Sequence, residues 1–186
     1  MEFENTPGDI ARIVVDEDAI RVRLAEMARQ VEKDLEGSTP VLVGVLTGAF
    51  MVMADFAREL ALPVTIDWMV LSSYGDSTES SGEITVVKDL SDSVDGKDVV
   101  VVEDIVDTGQ TVAWLIDHLK SRGAKSLRVL TLLRKPDAAV VDVPVDYVGF
   151  DIPSDFVVGY GLDFAGQYRN LRGVGVLDPS VWSEES

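Results

Sequence analysis

Glu103, Asp104 and Asp107 place three carboxylates within five residues at the end of the apolar run Val99–Val102, and the chain then releases into Thr108-Gly109-Gln110-Thr111. Mutual repulsion among acids this close is unfavourable unless a cation or ligand offsets it, so the cluster points to a binding site rather than a solubilised strand end. The turn leads into a helix marked by Val112, Leu115, Ile116 and Leu119. Unpaired N–H groups and the positive end of the helix dipole attract an anion there, and two threonine hydroxyls add donors. Acceptor-only side chains just before the turn suit the two hydroxyls of a ribose, or a hard cation such as Mg²⁺. The turn has neither the Walker pattern nor the dinucleotide fingerprint G-x-G-x-x-G, which disfavours a nucleoside triphosphate or NAD. Phosphate, diol and metal together describe a phosphorylated ribose.

Such residues need a sheet edge and a helix start to hold them. Ile20, Leu24, Met27, Val31 and Leu35 recur at helical spacing over residues 16–35, and "PVLVGVLTG" reads as a buried strand. "AFMVMADFAREL" follows as a helix whose expected apolar face holds Phe50, Met53, Ala57 and Leu60. "PVTIDWMVL", "ITVVKDL" and "LRVLTLL" are further extended segments, and Gly123 is the expected end of the helix after the acidic cluster. The Ser/Gly-rich residues 72–83 read as a mobile loop. Strands too continuously apolar for half-exposed sheets, alternating with helices, predict an α/β fold: a doubly wound, mostly parallel sheet covered on both faces. Beyond Pro136 the pieces "VDYVGF", "FVVGY" and "VGVL" are too short for further βαβ units. They read as a small cap, or hood, over the carboxyl edge of the sheet. The expected organisation is one domain over 1–186, with a core at about 36–135 and a hood from about 136–186 plus the N-terminal segment.

The chain has 186 residues, of which 46% are hydrophobic, enough to build a core without metals or disulfides. It has no cysteine, which excludes thiolate metal sites and disulfides. A net charge of −17 opposes binding to nucleic acid or anionic lipid, so neither is an expected partner. Solubility explains that charge, with adaptation to a salty environment as the alternative. "MEFENTPGDIARIVV" lacks basic and apolar signal regions, so a cytoplasmic protein is expected. His118, the single histidine, sits beside a helical apolar stripe and reads as structural.

The stretch "VVVVEDIVDTGQT" resembles the phosphoribosyl diphosphate (PRPP) signature of the type I phosphoribosyltransferases. "SSYG", "LLRKPDA", "YVGFDIPSDFVVGYGLDF" and "QYRNL" extend the resemblance, from about Pro40 to Pro179, to the bacterial hypoxanthine-guanine phosphoribosyltransferase group. That resemblance implies a Mg²⁺-dependent transferase acting on PRPP and a 6-oxopurine, with hypoxanthine and guanine converted to IMP and GMP. Glu103 and Asp104 would meet the ribose hydroxyls and Mg²⁺, with Asp163 near a second Mg²⁺. Asp107 would be the catalytic base facing purine N7, and Asp107, Thr108, Gly109, Gln110 and Thr111 would hold the 5′-phosphate. Lys135 would donate to purine O6, Phe156 would stack on the ring, and Val157 and Asp163 would meet its Watson–Crick edge.

Arg169, Thr47 and Gly48 would bind pyrophosphate, although Thr47 stands where relatives often carry Lys or Arg. The Leu46–Thr47 peptide would be cis, and Ser73 and Tyr74 would belong to a lid over the leaving group. The resemblance further implies a homodimer or homotetramer. Two alternatives stay open at this stage: a transferase that accepts xanthine, and a nucleotide-sensing, RNA-binding regulator of the same fold, against which the charge argues.

Overall fold

The computed structural model describes residues 1–6, 8–73 and 84–183. In chain order the elements are β1 (Ile10–Val15), α1 (Glu17–Asp34), β2 (Val41–Leu46), α2 (Phe50–Glu59), β3 (Thr65–Ser73) and β4 (Ile84–Lys88). They continue with β5 (Asp98–Val106), α3 (Gln110–Ser121), β6 (Ser126–Arg134), β7 (Tyr147–Asp151), β8 (Val157–Val158), β9 (Val174–Leu177) and α4 (Pro179–Ser183). Six strands form a sheet in the order β4-β3-β2-β5-β6-β7. All its pairings are parallel except that of edge strand β4, which runs antiparallel to β3.

Side chains alternate across a strand, and β5 shows why its valines need no polar partner face. Val100 and Val102 join Leu42, Leu130 and Leu132 beneath α1 and α2, whereas Val99 and Val101 join Val41, Val43 and Val129 beneath α3. Val99, Val100, Val101 and Val102 are all fully buried. The doubly wound architecture expected from the sequence is therefore present, with two helices on one face and one on the other. Asp16 starts α1 by accepting from the Ala19 N–H at 2.8 Å, and Glu17 and Asp18 favour its first turn. The inward stripe of α1 is the expected one.

Several boundaries differ from the sequence reading. "VDYVGF" was expected in the hood, but Tyr147–Asp151 forms β7 and pairs parallel with β6. It is held there from α1. Tyr147 donates to Asp34 at 2.8 Å, and Arg23 donates to the carbonyls of Val148 and Gly149 at 2.7 and 3.1 Å, covering an otherwise open strand edge. The N-terminal segment also divides: α1 packs on the large sheet, and only β1 and the residues before it join the hood. The buried face of α2 is Val52, Met53 and Phe56, since Phe50 opens the helix and Leu60 caps it from outside. Ser72 and Ser73, expected in a loop, extend β3 and pair with Thr85 and Ile84. The rest of that expected loop, and Tyr74 with it, lies outside the described residues.

The hood is the antiparallel sheet β1-β9-β8 around Val158, Leu171 and Leu177, with Phe3, Ile10 and Phe164 against them. From β2 the chain crosses by α2 to β3 on one side, and from β5 it crosses by α3 to β6 on the other. The strand order therefore reverses between β2 and β5, and the crevice outside their carboxyl ends is where open α/β sheets bind ligands. Among the described residues no helix is long and apolar enough to cross a membrane.

Candidate active site

At the reversal point β2 runs into the cis Leu46–Thr47 peptide and Gly48, and β5 runs into Glu103 and Asp104. The two strand ends meet closely. A Cβ built on Gly48 would lie 1.9 Å from Asp104 Oδ2, so only glycine lets the loop pass the carboxylate. Both residues line a cavity of about 360 Å³, and Asp107, Lys135, Phe156, Val157, Asp163 and Arg169 line it as well. Register explains one pairing. Val106 lies opposite Arg134 in the β5–β6 ladder, and the Lys135 N–H donates to the Val106 carbonyl at 2.9 Å. The next residue of each strand therefore emerges side by side, and Lys135 Nζ reaches Asp107 Oδ2 at 2.9 Å. Lys135 is only 8% exposed.

The hood supplies the opposite wall. Phe156 stays 46% exposed at the lip of the cavity, edge-on to Phe164 at 5.9 Å between ring centroids. Arg169 spans two partners, the Asp163 carboxylate at 2.7 Å and the Gly161 carbonyl at 2.6 Å, which fixes both side chains against the floor. A second recess of about 270 Å³ shares Glu103, Asp104 and Asp107 and is walled by Thr108, Gly109 and Thr111. Gly109, at φ +83°, precedes the first turn of α3. Its N–H and those of Thr108 and Thr111 donate to no backbone acceptor among the described residues, which leaves them available to an anion.

Burial dominates the electrostatics of the acid pair. It pushes the Glu103 carboxyl well above the usual range, with the neighbouring Asp104 charge adding to it, and Glu103 Oε1 has no hydrogen-bond partner among the described residues. Burial also pushes Asp104 up to about 6, against the opposing Ile105 N–H and the Arg169 charge. A carboxylate raised in the folded state takes nothing from stability below its unfolded value, 3.8, lowers stability progressively as pH rises from there to about 6, and adds no further loss above it. In metal-free protein, Asp104→Asn should accordingly raise the thermal midpoint at pH ~8 and lose most of that gain at pH ~4. Melting curves of both proteins at the two pH values check this, and an equal gain at both would remove charge burial as the cause.

Glu103, Asp104, Asp107, Lys135, Phe156, Val157, Asp163, Arg169 and Gly48 are thus gathered as the sequence suggested, with Thr108, Gly109 and Thr111 around the adjoining recess. Two expected residues are not. Thr47 and Gln110 are exposed, and neither lines the cavity or the adjoining recess. Ser73 ends β3, near the site by sequence but without a described side-chain contact. Val45, Ile105 and Leu162 line the cavity and were missed, because their types and spacing match ordinary core positions. His118 lies outside the cavity, stacked on Trp114 and 3.1 Å from Asp89, in the structural role expected.

Among the described residues no three acidic, histidine or cysteine side chains could hold a metal unaided. The carboxylates of Glu103, Asp104 and Asp163 in the lining, with the orphaned Glu103 oxygen, do suit a hard cation that completes its shell with ligand oxygens and water.

Residues 13–165 match the phosphoribosyl transferase domain family. The chain is 47% identical over 182 residues to a hypoxanthine-guanine phosphoribosyltransferase of Mycobacterium tuberculosis, covering 95% of this chain and 90% of that protein. It is 45% identical over 181 residues to the bifunctional protein TilS/HprT of Listeria monocytogenes, covering 97% of this chain but spanning only 28% of the relative's length. A solved hypoxanthine phosphoribosyltransferase from Staphylococcus aureus superposes with a TM-score of 0.91 at 40% identity, covering 97% of this chain and 96% of that one.

Proposed function

The chain belongs to the phosphoribosyltransferase family, and we propose that it transfers 5-phosphoribose from PRPP to hypoxanthine or guanine, giving IMP or GMP and pyrophosphate in purine salvage. The observation that carries this reading is the Lys135–Asp107 pair, set beside the exposed Phe156 ring in the same cavity as Glu103 and Asp104. O6 and N7 lie on one edge of a 6-oxopurine, so an ammonium and a carboxylate held side by side match that edge in a single plane. Phe156 then offers the ring a face to stack on.

The chemistry follows from these placements. Purine N9 attacks C1′ of the ribose as the bond to pyrophosphate breaks, and the imidazole ring sheds the proton of N7 to the Asp107 carboxylate. Lys135 holds O6. The 5′-phosphate sits in the recess of Thr108, Gly109 and Thr111, and the ribose hydroxyls meet Glu103 and Asp104. Gly48 and Arg169 receive the pyrophosphate, with Asp163 fixing the guanidinium. Mg²⁺, held by Glu103, Asp104 and Asp163 together with PRPP oxygens, would neutralise the charge of the leaving group. It also answers how a protein of net charge −17 takes an anionic substrate. One domain with a hood, acting in the cytoplasm as a homodimer or homotetramer, completes the proposal.

The direct test offers hypoxanthine, guanine, xanthine and adenine separately with PRPP and Mg²⁺ and follows nucleotide formation. Turnover of the first two with little from adenine supports the proposal, dominant turnover of xanthine changes the substrate, and PRPP binding without any turnover removes the transferase reading. Lys135→Met should raise KM for hypoxanthine about ten- to a hundredfold and narrow the preference over adenine, because O6 loses a charged donor. KM for PRPP should stay within a few-fold, and steady-state kinetics of the variant with each purine checks both.

A further inference from the structure

Tyr160 belongs to no part of the reaction above, yet its setting is unusual. It is 7% exposed and adopts a left-handed backbone, φ +50°, uncommon for a residue with a bulky side chain. It belongs to the large core cluster and, with Ile20 and Leu24 of α1, lines a recess between α1 and α2. Its hydroxyl donates to Asp55 Oδ2 at 2.5 Å, in the second turn of α2. Burial and the Asp55 carboxylate both push the phenol well above its ordinary range, so it stays protonated and remains a donor. On the backbone side, the Tyr160 N–H donates to the Leu171 carbonyl and the Gly161 N–H to the Arg169 carbonyl, each at 3.0 Å. Gly161, at φ +104°, then lies against the loop after β2, where a Cβ would fall 2.1 Å from the Gly48 carbonyl oxygen.

These contacts join two walls of one cavity. Gly48 begins the loop that becomes α2, and Asp55 is fixed on that helix. Asp163 and Arg169 stand on the turn-rich segment of the hood that Tyr160 anchors. Building on the transferase reading, we propose that Tyr160 and Asp55 form a clasp that sets the spacing between Gly48 and the Asp163–Arg169 pair, and so position the pyrophosphate end of the PRPP site. Asp107, Lys135 and Phe156 at the purine end are held apart from the clasp. Asp107 and Lys135 are held by β5 and β6, and the carbonyl of Phe156 accepts from the Leu177 N–H of β9 at 3.0 Å. Tyr160 and Asp55 touch neither substrate, and their role is to position.

The experiment measures kcat, KM for PRPP, KM for hypoxanthine and thermal midpoint for Tyr160→Phe, Asp55→Asn and the double variant. The clasp predicts that each single substitution raises KM for PRPP about tenfold with KM for hypoxanthine within twofold, because one charge-assisted hydrogen bond is lost in each. The double variant should be no worse than either single one, since both remove the same bond. A lower midpoint with unchanged KM for PRPP would reduce the pair to a structural contact and overturn the inference. Equal rises in both KM values, or additive effects, would do the same. If the unaltered protein shows no turnover, the transferase reading falls first, and PRPP affinity by calorimetry then decides the clasp by itself.

Discussion

Asp107→Asn should lower kcat by about 10²- to 10⁴-fold and leave KM for PRPP within a few-fold. The asparagine keeps the shape of the side chain and an oxygen facing Lys135, but it cannot accept the N7 proton as C1′ is attacked. In the proposed site, binding of the ribose and 5′-phosphate would rest on Glu103, Asp104 and the turn into α3, which the substitution leaves unaltered. The contrast between kcat and KM is therefore the informative reading, obtained from steady-state kinetics with PRPP varied at saturating hypoxanthine. A loss confined to KM would make Asp107 a binding residue, and unchanged kinetics would place the proton acceptor elsewhere. The substitution also removes the partner charge of a lysine that is 8% exposed, so a modest fall in the thermal midpoint should accompany the kinetic loss.

Gly48→Ala should reduce kcat/KM for PRPP by at least about a hundredfold with little change in thermal midpoint. The added methyl would fall on Asp104 Oδ2, and that carboxylate cannot simply rotate aside, because its Oδ1 accepts from the Ile105 N–H at 2.9 Å. Either Asp104 leaves its position beside Glu103 or the loop leaves the sheet edge, and either displaces the ribose from the pyrophosphate. Kinetics and melting curves of the variant check this. Near-normal kcat/KM would mean that the loop and the acid pair are not held in fixed relation.

How far the site can be read from the sequence depends on how local each part is. Glu103 to Thr111 forms one strand, turn and helix start, so its chemistry is legible from spacing alone. Lys135, Phe156, Asp163 and Arg169 reach the same cavity through strand order and the hood, and only the family resemblance marked them. The contact of Gly48 with Asp104 joins residues more than fifty positions apart, and no periodicity announces it. In the fold, the fully buried strands were plain because their apolar runs are continuous. β7 was misassigned because a five-residue edge strand with one fully buried side chain carries almost no signal, and its place comes from Arg23 and Asp34 on α1. That Thr47 and Gln110 stay outside the cavity linings is likewise a matter of local backbone geometry that residue type does not reveal.

The two walls of the cavity are built from parts of unequal permanence. The acid pair ends β5, a strand sandwiched between both cores, so exposing its amides to exchange requires something close to global unfolding. Phe156 and Val157 ride on the hood, where β8 is two residues long and β9 is four. Short strands with few ladder bonds open at a small fraction of that free energy. Amide exchange should therefore be faster along β8 and β9 than along β5, while Val157 and Tyr160, packed in the large core, keep the hood seated over the carboxylates.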